Sequence, residues 1–314
     1  MIDLLFFLLL LLFFYFLGKA ADLVVLNIRQ IGEKLGIKIF FLGLILGLLT
    51  SLPELSIGIN SIVNNIEEVS LGNLLGGVIV LLGLILGLSI ILNRKISTDG
   101  KISHFLPIAV FLLLPLFLGL DGLLNYFDGI LIIIIYVALI AFLYSWNKSP
   151  HLITLEIIRN GKILKNVFYS LVGVIIVIII SNLIVRLTSS LLKDIDIPEL
   201  LLGLILFSIG TNLPEIIVTI RSWKRHVKDL AISNLIGSAI ANILIIGIFA
   251  IIVPLELEID VVFVVLLIFT FILLLALTLF YKTDKSFSRR EGFALLCIYL
   301  LFFISQTFLL IRLI

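Results

Sequence analysis

The sequence has few of the residues on which most disulfide-bonded, metal-binding and redox proteins depend. Cys297 is the only cysteine among 314 residues, which excludes disulfides, zinc clusters and redox pairs within one chain. Only 13% of the residues are charged, 62% are hydrophobic, and the mean hydropathy is +1.34. A soluble core cannot hide this much apolar surface, because soluble domains are about half apolar and about a quarter charged. We therefore predict an all-α, polytopic membrane protein.

The apolar runs also lack histidine, and the first of them does not have the charge pattern of a cleavable leader. His104, His151 and His226 all fall between apolar runs, so we expect no histidine proton relay across the membrane. The first apolar run, 4–17, follows an acidic residue, and its first basic neighbour, Lys19, comes after it. This order is the reverse of that in a secretion signal, so we expect a retained first helix.

Long apolar runs are abundant, and many reach the roughly 20 residues that a spanning helix needs. Charged, proline-containing and glycine-containing segments separate these runs and predict ten transmembrane helices. The predicted spans are 2–18, 38–64, 69–93, 105–120, 127–145, 166–190, 199–222, 229–253, 259–281 and 290–311.

The basic residues lie almost entirely on one side of this ten-helix plan. The segments after spans 1, 3, 5, 7 and 9 hold 19 of the 22 Lys and Arg residues, and the other face holds Arg186, Lys193 and Arg312. Because cytoplasmic loops are enriched in Lys and Arg, we predict a cell-membrane protein with both termini on the extracytoplasmic side. The loops of the opposite face are acidic, and their carboxylates either attract cations or are ordinary solvated side chains.

The two halves of the chain match when one is shifted by 161 residues. We predict a first five-helix half over 1–147 with a repeat at about 43–83, a cytoplasmic linker over 148–165, and a second half over 166–314 with a repeat at about 204–244. Corresponding points are five helices apart, and since five is odd the second copy has the opposite topology. Inverted repeats are typical of secondary transporters, in which substrates bind at the midplane between the halves. The matched pairs include Thr50 with Thr211, Pro53 with Pro214, Glu54 with Glu215, Asn73 with Asn234 and Gly76 with Gly237.

Each repeat places a proline and a glutamate in the middle of a span, as TSLPEL at 50–55 and TNLPEI at 211–216. A proline breaks the helical hydrogen bonding, and the freed carbonyl groups, predicted here at Leu49 and Gly210, need a hydroxyl, water or ion in lipid. A charged residue at the bilayer centre costs about 3 kcal/mol on insertion scales, so Glu54 and Glu215 are expected to be functional. The alternative is a pair of protonated glutamates that are hydrogen-bonded to the helix breaks.

Two carboxylates that meet at the midplane, surrounded by hydroxyl, amide and carbonyl oxygens, form a ligand set for a hard cation. Flexible all-oxygen ligation favours calcium over magnesium. A second element follows each break, GNLLGG at 72–77 and SNLIGSAIAN at 233–242. Asn234, Ser238 and Asn242 share one polar helix face that should line the site. The counterparts of Ser238 and Asn242 in the first repeat are Gly77 and Leu81, which carry no polar group, so the predicted site has fewer ligands on that side.

These paired motifs resemble those of the calcium/cation antiporter superfamily, and in particular the prokaryotic sodium/calcium exchangers. The resemblance implies that Glu54 and Glu215 bind calcium. It further implies that the first and sixth predicted spans, 2–18 and 166–190, slide across the core during alternating access. It also implies that sodium binds hydroxyl and carbonyl groups beside the glutamates. By position, these ligands are Gly47, Thr50, Ser51, Ser208, Thr211, Asn212 and Ser238. The chain departs from the family at Gly77, Leu81 and Asn242, where the family usually has polar or acidic residues.

We therefore predict a cation antiporter, not an enzyme, that exports calcium in exchange for sodium. The expected partners are the transported cations and the lipid bilayer, with no cofactor and no nucleic acid. An antiporter that exchanges calcium, manganese or another divalent cation for protons is the main alternative, because the site carries at most two negative charges. An intramembrane acid hydrolase and a non-transporting scaffold are the remaining alternatives.

Overall fold

The structure is a computed structural model that describes residues 2–35, 39–63, 66–93, 95–97, 101–146, 161–190, 202–282 and 286–313. Over these residues the chain is almost entirely helical, with four short strands. In the first half the helices are α1 (Ile2–Leu35), α2 (Ile39–Thr50), α3 (Leu52–Val63), α4 (Glu67–Ile79), α5 (Leu86–Asn93), α6 (Ile102–Leu118) and α7 (Tyr126–Trp146). A π-helical segment, Val80–Ile85, joins α4 to α5, and the strands are β1 (Lys95–Ser97) and β2 (Leu123–Leu124).

The second half repeats the order of spans and strands, but its π-helical segment lies in the second span of the half instead of the third. Its helices are α8 (Gly161–Ser190), α9 (Ser208–Thr211), α10 (Leu213–Lys224), α11 (Lys228–Ile252), α12 (Val261–Lys282) and α13 (Arg289–Leu313). A π-helical segment, Leu202–Phe207, leads into α9, and the strands are β3 (Leu255–Glu256) and β4 (Ser286–Ser288). Of the predicted linker, residues 148–160 lie outside the described residues, and 161–165 belong to the first turns of α8.

Each of the ten predicted spans coincides with one helical stretch. Eight stretches of the described chain are long and apolar enough to cross a membrane, beginning with 41–63 and 67–93 and ending with 261–282 and 289–309. The other two predicted spans correspond to α1 and to the broken helix over 202–224. The fold is therefore that of a polytopic helical membrane protein with ten spans.

The first helix is longer than the sequence predicted. We expected it to end at residue 18, but α1 continues to Leu35, through a segment that contains Lys19, Arg29 and Lys34. The extension is amphipathic, since its apolar residues recur at helical spacing and are buried against α8 and α10. The prediction that the helix stops before residue 19 was wrong, because charged residues on the opposite face hid this pattern. Of the other basic residues used to predict orientation, Lys38, Arg94, Lys148, Arg159, Lys193 and Lys285 lie outside the described residues.

Two antiparallel ribbons show the inverted relation between the halves. In one ribbon Lys95 of β1 pairs with Ser288 of β4, and in the other Leu123 of β2 pairs with Glu256 of β3. β1 and β3 each follow the third span of their half, and β2 and β4 each follow the fourth. The repeat therefore exchanges one ribbon with the other. Six spans separate β1 from β4 and four separate β2 from β3, so each ribbon joins loops of the same membrane face.

Close approaches between the two repeats form the centre of the molecule. A Cβ added at Gly47 in α2 would lie 2.5 Å from the backbone carbonyl oxygen of Asn234 in α11. One added at Gly203 would lie 2.7 Å from the backbone nitrogen of Asn73 in α4. Only glycine allows backbones to pack this closely. Each half thus supplies a broken helix that packs against an intact helix of the other half.

The predicted sliding helices pack against each other at the edge of this core. The Asn166 amide of α8 donates to Gln30 Oε1 of α1 at 3.0 Å, and Gly173 allows α8 to approach Val24. Both helices contribute to an apolar cluster that is separate from the main core.

Candidate cation site

Both predicted helix breaks occur where the two proline motifs lie. α2 ends at Thr50 and α3 begins at Leu52, while α9 ends at Thr211 and α10 begins at Leu213. Each proline is then the second residue of the new helix, where its missing N–H costs nothing. The breaks are related by the 161-residue shift, so the irregular backbone comes in a symmetric pair.

The polar side chains at the breaks bind backbone carbonyls one turn before the positions that we expected. Thr50 Oγ1 lies 3.1 Å from the Leu46 carbonyl oxygen, and Ser51 Oγ lies 3.0 Å from that of Gly47. In the other half, Thr211 Oγ1 donates to the Phe207 carbonyl at 2.9 Å and Asn212 Nδ2 to the Ser208 carbonyl at 2.6 Å. The Ser208 hydroxyl in turn donates to the Leu204 carbonyl. The expectation of partners at Leu49 and Gly210 was wrong, because a short polar side chain on a helix reaches the carbonyl four residues earlier.

Glu54 and Glu215 follow the breaks and are completely buried. Among the residues that the structure describes, they are the only acidic side chains that are buried. Both oxygens of Glu54 and Oε2 of Glu215 have no hydrogen-bond partner within the described part of the chain. The two carboxyl groups lie close enough for their charges to interact. A pair of buried carboxylates with three unpartnered oxygens is a strong acceptor for a cation, since burying a charge without a partner is costly.

Four oxygen atoms converge beside Glu215. The Ser238 hydroxyl lies 3.0 Å from Glu215 Oε1, 3.2 Å from the Gly47 carbonyl oxygen and 3.4 Å from Thr50 Oγ1. We call this group the oxygen cluster. Its members come from both halves of the molecule, and a hard cation prefers such a set of carboxylate, hydroxyl and carbonyl ligands.

At the equivalent position beside Glu54, two amide nitrogens lie where the oxygen cluster has the Ser238 hydroxyl. Gly77 takes the place of Ser238, and a Cβ added there would lie 2.6 Å from Asn242 Nδ2 and 3.2 Å from Asn212 Nδ2. These nitrogens donate to the carbonyls of Leu74, at 3.2 Å, and Ser208. Because a carbonyl oxygen can only accept a hydrogen bond, the side-chain amides of Asn242 and Asn212 must be oriented with their NH2 groups on this side. We call this region the amide-filled lobe.

All ten residues predicted to form the site are buried around the two breaks. They are Gly47, Thr50, Ser51, Glu54, Ser208, Thr211, Asn212, Glu215, Ser238 and Asn242. The described residues contain no group of three or more His, Cys, Asp or Glu side chains that could hold a metal ion. The ligands that the described residues offer to a cation here are two carboxylates and neutral oxygens.

Three polar residues outside the predicted ligand set also lie near the site, and sequence reasoning missed two of them, Thr219 and Ser222. Asn73 accepts a 3.0 Å hydrogen bond from the Thr211 hydroxyl and so links α4 to the second break. Thr219 and Ser222 of α10 are buried without hydrogen-bond partners in the described chain. Their spacing after Glu215, at four and seven residues, puts all three on one helix face and could have revealed them.

Comparison with known proteins agrees with this geometry. A family profile described as sodium/calcium exchanger protein matches residues 5–145 and 165–308, which is most of the chain. The chain belongs to the sodium/calcium exchanger family. Its family and structural neighbours are transporters rather than enzymes, so the protein is a membrane cation antiporter.

Individual relatives share the fold over most of its length. An uncharacterized membrane protein of Methanocaldococcus jannaschii is 27% identical over 224 residues, which cover 71% of this chain and 74% of that protein. CaxA of Alkalimonas amylolytica, named as an antiporter, is 28% identical over 246 residues, covering 75% and 77%. A structure of the sodium-calcium exchanger NCX_Mj soaked with 10 mM Na⁺ and no Ca²⁺ superposes with a TM-score of 0.80 at 25% identity, covering 93% of this chain and 95% of that one.

Proposed function

We propose that the protein exports calcium from the cytoplasm in exchange for sodium by alternating access. The observation that carries this proposal is the pair of completely buried carboxylates, Glu54 and Glu215, at equivalent breaks of two inverted repeats. Burial of two carboxylates away from water is costly unless bound cations or protons neutralise their charge. The names of several relatives, including the exchanger NCX_Mj, support calcium and sodium as the ions.

In this proposal calcium binds between the two carboxylates. Glu54 supplies two oxygens with no other partner, and Glu215 supplies Oε2. Calcium accepts six to eight oxygen ligands in irregular geometry, so hydroxyl and carbonyl groups of the breaks complete its shell. Ser51, Thr211 and the carbonyl groups near them are the proposed contributors.

Sodium is proposed to bind the oxygen cluster formed by Glu215, Ser238, Thr50 and the Gly47 carbonyl. Sodium and calcium then compete for Glu215, because the carboxylate belongs to both ligand sets. This competition is what an antiporter needs, since the two ions must not leave the site together. The proposed roles of Ser208 and Asn212 are to fix the second break, and Asn242 fixes the backbone at Leu74.

The charge of the site limits the exchange ratio. Two carboxylates carry at most two negative charges, which one calcium ion or two sodium ions neutralise. The amide-filled lobe presents the Asn242 and Asn212 nitrogens at the position where Ser238 supplies a hydroxyl oxygen in the other half, so it has one oxygen ligand fewer for a further monovalent cation. We therefore propose a ratio of two monovalent ions for each calcium ion, with no net charge moved.

The orientation follows from the distribution of basic residues. With 19 of 22 Lys and Arg residues on one face, we propose that this face and the linker 148–165 are cytoplasmic and that both termini are extracytoplasmic. The second halves of the broken spans then point in opposite directions, α3 toward the outside and α10 toward the cytoplasm.

Proton coupling is the second candidate, and the amide-filled lobe is the observation that favours it. A site with one oxygen cluster instead of two has fewer ligands for sodium, whereas two protons would neutralise the same carboxylates. Both candidates use Glu54 and Glu215, so only the coupling ion distinguishes them.

The test is uptake of radioactive calcium into proteoliposomes that contain the purified protein. One set of vesicles is loaded with sodium at equal internal and external pH, and a second set has a pH gradient and no sodium. Uptake in the first set alone supports sodium/calcium exchange, and uptake in the second set alone supports proton coupling. Vesicles with the Glu54→Gln variant are the matched control, and folded protein that moves no calcium in either set would refute the proposal.

A further inference from the structure

A column of unpartnered polar groups extends from Glu215 along the interface between α10 and α11. Thr219 Oγ1, Ser222 Oγ and both polar atoms of Asn234 have no hydrogen-bond partner within the described residues. All three side chains have 0% exposure. Burial of a polar group without a partner is costly, so such groups usually mark a place that water or an ion occupies.

The register of the two helices brings these side chains together. α10 and α11 form an antiparallel hairpin, and the hydrogen bond from Ser238 to Glu215 fixes its register. One turn further along each helix, Thr219 follows Glu215 and Asn234 precedes Ser238. Ser222 lies one more turn toward the end of α10, so the column leads away from the carboxylates and toward Arg221, Lys224 and Arg225.

In the described part of the other half, the counterparts of these three residues do not form an equivalent column. The repeat places Gly58 where Thr219 is, and the phenyl ring of Phe249 covers it, with its Cζ 2.6 Å from where a Cβ would be. The side-chain oxygen of Asn73, the counterpart of Asn234, is already engaged by the Thr211 hydroxyl, and only its Nδ2 and the Ser70 hydroxyl near Gly58 have no partner in the described chain. The inverted repeat would predict two equivalent columns, so the one beside α10 is a feature of its own and not a consequence of the fold.

We propose that Thr219, Ser222 and Asn234 form a second cation-binding station on the cytoplasmic side of the carboxylate pair. Two hydroxyls and an amide oxygen are neutral ligands for a hard cation, which would keep part of its hydration shell there. A cation that enters from the cytoplasm binds this station before it reaches Glu215. A cation that leaves Glu215 toward the cytoplasm binds the station on its way out. As a route for the transported ion, this inference rests on the proposed function, but its hydration can be measured without transport.

The first experiment tests whether the column is wet. In a Cys297→Ala background, which removes the single and exposed cysteine, Thr219→Cys is treated with a small cationic thiol reagent from each face of membrane vesicles. We expect modification from the cytoplasmic face and slower modification when calcium or sodium is present. Ser61→Cys, the counterpart of Ser222 in the other half, is the matched control and should not react from that face. An unreactive Thr219→Cys, or reaction that cations do not slow, would overturn the proposal.

The second experiment tests the role in transport. Thr219→Val keeps the shape of the side chain and removes the hydroxyl. We expect the KM for calcium offered at the cytoplasmic face to rise about five-fold, the factor that corresponds to one ordinary hydrogen bond. The KM at the opposite face should not change, and Thr219→Ser should restore the cytoplasmic value.

The results differ if the Thr219 hydroxyl contacts neither water nor a cation. If the hydroxyl is only buried, Thr219→Val removes an unpartnered polar group, so it should raise the melting temperature and leave both KM values unchanged. Thr270→Val is the control, because the Thr270 hydroxyl is buried but already donates to the Leu266 carbonyl at 2.7 Å. If the wild-type protein moves no calcium but Thr219→Cys is modified as expected, the proposed function is refuted, whereas the cation-binding station is still supported.

Discussion

Substitution of Gly77 tests the amide-filled lobe directly. In Gly77→Ala, the new Cβ would lie 2.6 Å from Asn242 Nδ2, so this amide must move. The movement breaks its 3.2 Å hydrogen bond to the Leu74 carbonyl. One lost bond of this kind costs about 1 kcal/mol, and the tighter packing adds about 1 kcal/mol or more. We expect a stability loss of about 2 kcal/mol in detergent and no change in the exchange ratio, because an alanine adds no oxygen.

A double variant should change the exchange ratio. Gly77→Ser with Asn242→Ala removes the amide and supplies a hydroxyl at the position that Ser238 has in the oxygen cluster. This change would create a second set of oxygens beside Glu54. We expect a third monovalent cation to bind in each cycle, so that one net charge crosses the membrane.

The assay is the final calcium ratio across proteoliposomes at a fixed sodium gradient and a series of clamped voltages. For the wild-type protein, which should move two sodium ions per calcium ion, the ratio should not depend on voltage. For the double variant it should change ten-fold for each increment of about 59 mV, the value for one net charge. A voltage-dependent ratio in the wild-type protein would refute the argument that two carboxylates and an amide-filled lobe limit the exchange to two.

Four other substitutions give separate expectations. Glu54→Gln and Glu215→Gln should each lower calcium flux more than about 100-fold, since a divalent cation then lacks half of its compensating charge; radioactive calcium uptake measures this, and flux within ten-fold of wild type would contradict it. Thr50→Val removes an oxygen from the oxygen cluster and should raise the KM for sodium more than that for calcium, whereas equal increases would show that the cluster does not prefer sodium. Asp22→Asn breaks its contacts with Arg221, at 3.1 Å, and Arg225, at 3.3 Å. These pairs are partly exposed, so thermal unfolding should show a loss of about 1 kcal/mol or less that shrinks in high salt; a larger, salt-independent loss would contradict it.

The sequence was sufficient to predict the spans and the two helix breaks, because both depend on local properties. Apolar runs and the effect of proline on helical hydrogen bonds act within a few residues, so Thr50 and Thr211 were found at the ends of their helices. The end of α1 was not found, because an amphipathic helix that packs on α8 has a mixed composition and no apolar run. Its apolar positions are recognisable only once their spacing is compared with a helical period.

The partners of the polar side chains could not be predicted in the same way. The sequence showed that Gly77 has no side chain where Ser238 has one, but not that the Asn242 and Asn212 amides fill that space. This arrangement depends on how α4 and α11 approach each other across the repeat. Similarly, Thr219 is an ordinary polar residue until its burial and lack of a partner are known.

The central claim is that calcium and sodium are exchanged at one pair of buried carboxylates. The most direct test measures both ions at once, as calcium influx and sodium efflux with two radioactive isotopes in the same proteoliposomes. We expect two sodium ions to leave for each calcium ion that enters, and both fluxes to disappear together in Glu215→Gln. Calcium uptake that proceeds without sodium efflux, or a Glu215→Gln variant in which only one flux is lost, would contradict the account.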